Sequence, residues 1–172
     1  MHKKIGAAGA AVLVVASIAA GCGGGGGSSP SVSSSGGTAV GVAAAAGLTK
    51  AKFVKEANAI CKQGSNQIHS GAEAFKEKQG IDLNASLSKA QEEELVAEVV
   101  VPSIRAQADG LAKLGAPEGE LTEVAGVVQK LEKVAEAGEE KPSNILQEGA
   151  GDPIAEVNKA AKAYGVDECM QP

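Results

Sequence analysis

Three cysteines and two histidines, at Cys22, Cys61, Cys169, His2 and His69, are the side chains of this sequence best placed to do chemistry. A thiolate serves as nucleophile, redox partner or metal ligand, and an imidazole as base or ligand. Spacing decides among these roles. No Cys-x-x-Cys-His is present for a c-type haem, no Glu-x-x-His for a di-iron bundle, and too few histidines for a His-based zinc site. A redox pair would want a close Cys-x-x-Cys, whereas Cys61 and Cys169 stand far apart. A Ser-His-Asp site would need His69 beside an activated serine, and no Gly-x-Ser-x-Gly elbow occurs. No phosphate-cradling Gly-x-x-x-x-Gly-Lys-Ser/Thr is found, and Gly23 to Gly27 is low complexity rather than a loop between a strand and a helix. Glu92-Glu93-Glu94 and Glu139-Glu140 are consecutive acids, which point apart on a helix and lack calcium-loop spacing, so they read as solvated faces. The sequence therefore predicts no catalytic residue, no metal and no cofactor.

The elements that must position the cysteines begin at the N-terminus. His2, Lys3 and Lys4 form a basic start, Ile5 to Ala20 an apolar run, and Ala19-Ala20-Gly21 a group of small residues before Cys22. Together these have the three parts of an export signal over residues 1–21. The apolar run falls short of the ~18–20 residues needed to span a bilayer and is diluted by Gly6 and Gly9. The residues Ala-Ala-Gly-Cys at 19–22 resemble the lipobox of bacterial lipoproteins, with Ala19 where that family most often has Leu. The resemblance implies cleavage before Cys22 and fatty chains, palmitate among them, on its thiol. The protein would then sit on the extracytoplasmic face of the cell membrane. An ordinary cleaved signal would instead leave a soluble product with a free Cys22, and an uncleaved one a short helical anchor.

Cysteine arithmetic follows from that reading. Three cysteines in an exported protein leave one unpaired. If Cys22 carries lipid, the odd one is accounted for, and Cys61 pairs with Cys169 in an oxidising compartment. The alternatives are two free thiols or pairing between chains.

Charge excludes other partners. The net charge is −5, and removal of Lys3 and Lys4 with the signal makes it −7. Arg105 is the single arginine, and Phe53, Phe75 and Tyr164 are the only aromatics. Nucleic-acid surfaces need basic tracks and stacking platforms, and this chain supplies neither. Anionic lipid would not be held through charge.

Residues 22–48 are rich in Gly, Ser and Ala, carry no charge, and read as a disordered linker. A helical domain is expected over 49–172. Thr49 is suited to cap a first helix running to about Gln79, with Phe53, Ala57, Ile60, Gly64, Ile68, Ala72 and Phe75 on one face. Cys61 lies at the edge of that stripe and His69 points away from it. Ser88 and Gln91 form a capping-box pattern that opens a second helix through Ile104, Ala108, Leu111 and Leu114. Pro102 should kink or break it. A third helix is expected from about Pro117, with Leu121, Val124, Val128, Leu131 and Ala135 inward, stopping before Gly138. Asp152-Pro153 should start a fourth helix with Ile154, Val157, Ala161 and Tyr164 inward, ended by Gly165 in a left-handed turn. The expected fold class is all-α: an antiparallel bundle of about four helices with one disulfide, behind a disordered tether.

The stretch Phe53-Val54-Lys55-Glu56-Ala57-Asn58-Ala59-Ile60-Cys61, with Tyr164-Gly165-Val166-Asp167-Glu168-Cys169, resembles small exported lipoproteins of actinobacterial type. These join a Gly/Ser tether to a helical domain with one cysteine near each end, and the resemblance carries over no functional residues. The expected function is a lipid-anchored, non-enzymatic interaction or envelope-associated module. Its partners would be the membrane, through lipid on Cys22, and an envelope protein. The alternative is a small-ligand binder with a cavity between helices.

Overall fold

A computed structural model describes residues 41–146 and 152–169. Cys22, the expected signal and the expected linker as far as residue 40 lie outside the described residues. The described part is all-helical, with a single isolated bridge, Ala44 to Ala116, as its only β-type pairing.

Helix α1 spans Lys50–Lys78 and starts where its cap dictates: Thr49 is extended and its hydroxyl accepts from the Lys52 N–H at 3.3 Å. Helix α2 spans Lys89–Leu95 behind a complete capping box, in which the Gln91 N–H donates to Ser88 Oγ and the Ser88 N–H to Gln91 Oε1. Between α1 and α2, Lys76 Nζ donates to the carbonyls of Leu83 and Ala85 at 2.8 and 2.9 Å and so organises the connecting loop.

From α2 the chain passes without interruption through a π-helical turn, Val96–Val100, into α3, Val101–Leu114. The Val101 N–H donates to the Val96 carbonyl, five residues back. Pro102 follows in the first turn of α3. A proline has no N–H for the carbonyl four residues earlier and its ring crowds that group, so the α-pattern is hardest to maintain here. Val99-Val100-Val101, which could have been a buried strand by composition, is helical.

Helix α4, Leu121–Glu140, departs from expectation at both ends. Its start is delayed because residues 117–120 form a turn, with the Glu120 N–H on the Pro117 carbonyl at 3.1 Å and Gly119 at φ 81°. Leu121 consequently sits 42% exposed instead of inward. Its end runs past Gly138, which is buried: a Cβ there would lie 2.5 Å from Val101 Cγ2. Contact with α3, not a helix stop, explains this glycine. Pro142 then begins a 3₁₀ turn, Pro142–Ile145.

Helix α5, Pro153–Tyr164, is capped by Asp152, whose carboxylate accepts from the Ile154 N–H at 2.8 Å. Gly165 closes it at φ 92°, ψ 21°, the left-handed conformation a glycine adopts without strain. A last 3₁₀ turn, Asp167–Cys169, lies against α1.

Helix α3 packs on both α1 and α4, and α5 packs on α4. The core is made of Phe53, Ile104, Leu111 and Leu131 among many Val and Ala side chains. Small residues permit close helix approach at the cost of area per residue, so covalent and polar links between helices matter more here. The end of the expected linker is part of this structure. The Ala45 N–H donates to the Ala116 carbonyl, the Ala116 N–H to the Ala43 carbonyl, both at 2.8 Å, and Val42 and Leu48 pack against the core. Composition marked 41–48 as tether because alanine and glycine carry no signal for such backbone pairing.

Candidate functional site

Of the site residues expected from sequence, Cys61 and Cys169 are brought together and Cys22 lies outside the described residues. The two cysteines form a disulfide with Cα atoms 4.8 Å apart, joining positions 108 residues apart in the chain. Both are fully buried. The bond fixes the final turn on the middle of α1, where the Glu168 N–H also donates to Asn58 Oδ1 at 2.9 Å. His69 is exposed on α1. Glu94 accepts from Gln79 Nε2, and Glu139 receives both Nε and an Nη of Arg105. That guanidinium holds the Glu139 carboxyl below its usual range. Among the described residues no three His, Cys, Asp or Glu side chains gather at a spacing suited to a metal, and no helix is long and apolar enough to cross a membrane.

Sequence reasoning did not single out two polar clusters that link the helices. The first joins three elements at one end of the domain. The Tyr164 hydroxyl, at the end of α5, donates to the Glu120 carboxylate just before α4. Lys50, at the start of α1, reaches the same oxygen at 3.2 Å and lies 4.3 Å from the Tyr164 ring centroid, a cation–π contact. Phe53 meets that ring edge-on at 5.5 Å. The Tyr164 hydrogen bond, seconded by Lys50, holds the Glu120 carboxyl below its usual range. Burial first, and then Glu120, push the Tyr164 phenol above its usual range. A phenol so held stays protonated and bonded through neutral pH. Through this bond it links the end of α5 to the turn before α4.

The second cluster lies between α1 and α3. Ser103, Gln107 and Gly110 recur at spacings of four and three along α3, so they share the face turned toward α1. Ser103 Oγ donates to the Gly64 carbonyl at 3.0 Å. Gln107 lies flat over Gly64, where a Cβ would come within 2.3 Å of its Cδ and Nε2. Only 1% of Gln107 is exposed, and neither Nε2 nor Oε1 has a hydrogen-bond partner in the protein. Each such orphaned buried group costs about 1–3 kcal/mol. Beside it opens a recess of about 190 Å³ with Ile60 and Ala106 as apolar walls. Gly64, Gly110, Gln63 and Gln67 complete its lining. The signal in the sequence was a glutamine between Ile104 and Leu111 on an otherwise apolar stripe.

Comparison of the chain with protein-family models, with curated proteins and with solved structures gives no match.

Proposed function

We propose that this chain is a lipoprotein of the actinobacterial type, held on the extracytoplasmic face of the cell membrane by lipid on Cys22. Its head is a non-enzymatic module that acts by binding in the envelope. In this reading residues 1–21 are removed as a signal, and Cys22 becomes the acylated N-terminus. The stretch from there to residue 40 spaces the head from the bilayer. The head is an antiparallel bundle of about four helices, bent at Pro102.

The observation that carries the reading is the buried Cys61–Cys169 disulfide. Such bonds persist in oxidising compartments and are rare in a reducing cytosol. With those two cysteines paired, Cys22 is the odd thiol of an exported chain, and it stands directly after Ala-Ala-Gly at the end of a signal-like stretch. Each buried CH₂ of an acyl chain contributes roughly 0.8 kcal/mol, so two or more chains hold a protein at a membrane without any spanning helix. The non-enzymatic role is supported by commitment of the reactive groups: Cys61 and Cys169 to each other, Tyr164 and Glu120 to a clamp.

Feeding labelled palmitate to an actinobacterial host that produces the protein tests this. Wild type should carry label and fractionate with membranes, and Cys22→Ala should lose both. A Cys22→Ala product still labelled and membrane-bound would refute the anchor.

A further inference from the structure

We infer that residues 79–95, the loop after α1 together with α2, form a strap that closes over Phe75 and swings open as one unit about the π-helical turn. Any use of the opening in binding rests on the head being a binding module; the opening itself does not.

The strap is set apart from the rest of the head by what it fails to bury. Phe75 is 3% exposed, yet it stands apart from the contiguous cluster of side chains that forms the rest of the core. The half-buried Ile81, Leu87 and Leu95 are not packed against that cluster either. Helix α2 buries no residue at all. Seven residues are too few for a helix to persist alone, so its complete capping box keeps its form while little apolar area holds it down.

Contacts along α1 show what lies over the ring. Gly71, one turn before Phe75, is pressed on Val99, where a Cβ would come within 2.4 Å of Cγ1. Gln79, one turn after it, donates to Glu94 at 3.2 Å, and Lys78 reaches Glu98 at the same distance. Residues 71, 75 and 79 share one face of the helix, so Phe75 is turned toward 94–99, where α2 meets the π-helical turn.

The fastenings of the strap are polar and exposed. Lys76 Nζ donates to the Leu83 and Ala85 carbonyls at 2.8 and 2.9 Å, and the Gln79–Glu94 and Lys78–Glu98 links lie at the surface, where such pairs contribute little. Val96 belongs to the core and pins the far side of the hinge. The π-helical turn that begins there already interrupts the α-pattern, and a continuous helix bends most readily at such a place. A segment with few buried apolar contacts and exposed hydrogen bonds opens at lower free energy than the core.

Native-state hydrogen exchange on the full chain, followed by NMR amide by amide, tests this. The Ile81 N–H, bonded to the Lys76 carbonyl at 2.8 Å, reports one end of the strap, and the N–H groups of Glu92 to Leu95 report the other. Both ends should share one opening constant, at least about a hundredfold larger than that of the α4 amides around Val128 and Leu131. Lys76→Met should raise it about tenfold at both ends, the worth of the lost hydrogen bonds, and leave α4 unchanged. Phe75→Ala should strip protection from the strap while α4 rates stay within about threefold, because the ring holds the strap and not the rest of the core. Unequal constants at Ile81 and in α2, strap amides as slow as those of α4, no change in Lys76→Met, or a Phe75→Ala effect spread over α4 would each overturn the strap. None of these outcomes bears on the lipid at Cys22, which palmitate labelling tests separately.

Discussion

Replacing both Cys61 and Cys169 with alanine removes the cross-link without leaving a free thiol or a buried hydroxyl. The bond closes a loop of 108 residues. In the chain-entropy treatment such a loop restricts the unfolded chain by roughly 2.1 + 1.5R ln n cal/mol/K, which for this length is about 4–5 kcal/mol at 25 °C. For an ordered head of roughly 120 residues each kcal/mol moves the midpoint by about 4 °C, so the double variant should melt about 15–20 °C below wild type. The core gives reason to expect most of that loss, because it is built largely of Val and Ala and has only Phe53, Phe75 and Tyr164 as large rings. Thermal melts followed by circular dichroism at 222 nm, on wild type with and without reductant and on the double variant, measure it. Reductant should lower wild type to the level of the double variant and leave the double variant unmoved. A double variant melting within about 3 °C of oxidised wild type would show that the bond does not hold the head together.

Other expectations follow from the packing and the charges. Gly64→Ala places a Cβ 2.3 Å from Gln107 and should destabilise the fold by about 1–3 kcal/mol, read from urea midpoints. Gln107→Leu removes an orphaned amide and should leave the unfolding free energy, read from urea midpoints, unchanged or raise it by on the order of 1 kcal/mol. Tyr164 is the only tyrosine, so absorbance at 295 nm reports it alone. Its folded phenol is raised above the usual value, so the stability it contributes is complete below about pH 10 and declines as pH rises beyond it. Phenolate absorbance should accordingly appear only with unfolding. The Glu120 carboxyl is depressed, so its contribution is present above about pH 4.3 and is lost as pH falls through its lower folded value. The acid limb of the stability curve should be shallower in Tyr164→Phe than in wild type.

Where a residue signals through its own backbone, the sequence was readable. Thr49, Ser88 with Gln91, Asp152 and Gly165 mark helix ends by chemistry confined to four or five neighbouring positions, and those ends appear where that chemistry puts them. Pro117 and Gly138 misled: residues 117–120 form a turn with Gly119 left-handed, so α4 starts later than Pro117, and Gly138 stays helical because Val101 and Ile145 occupy the space beside it. The pairing of Ala43 and Ala45 with Ala116 bridges about 70 residues and is written in backbone groups that every sequence shares. Periodicity does place Gln107 on the buried stripe of α3. That its amide lacks a partner depends on Gly64, on another helix, and so needed the fold. The Lys50–Glu120–Tyr164 clamp likewise gathers residues from three separate elements.

Intact mass spectrometry of the native protein, extracted from membranes without reductant, tests the anchored, disulfide-closed head most directly. The mass should correspond to a chain beginning at Cys22 with a diacylglyceryl group added and two hydrogens fewer than the reduced form. A chain still beginning at Met1, bearing no lipid and with every thiol reduced, would contradict it.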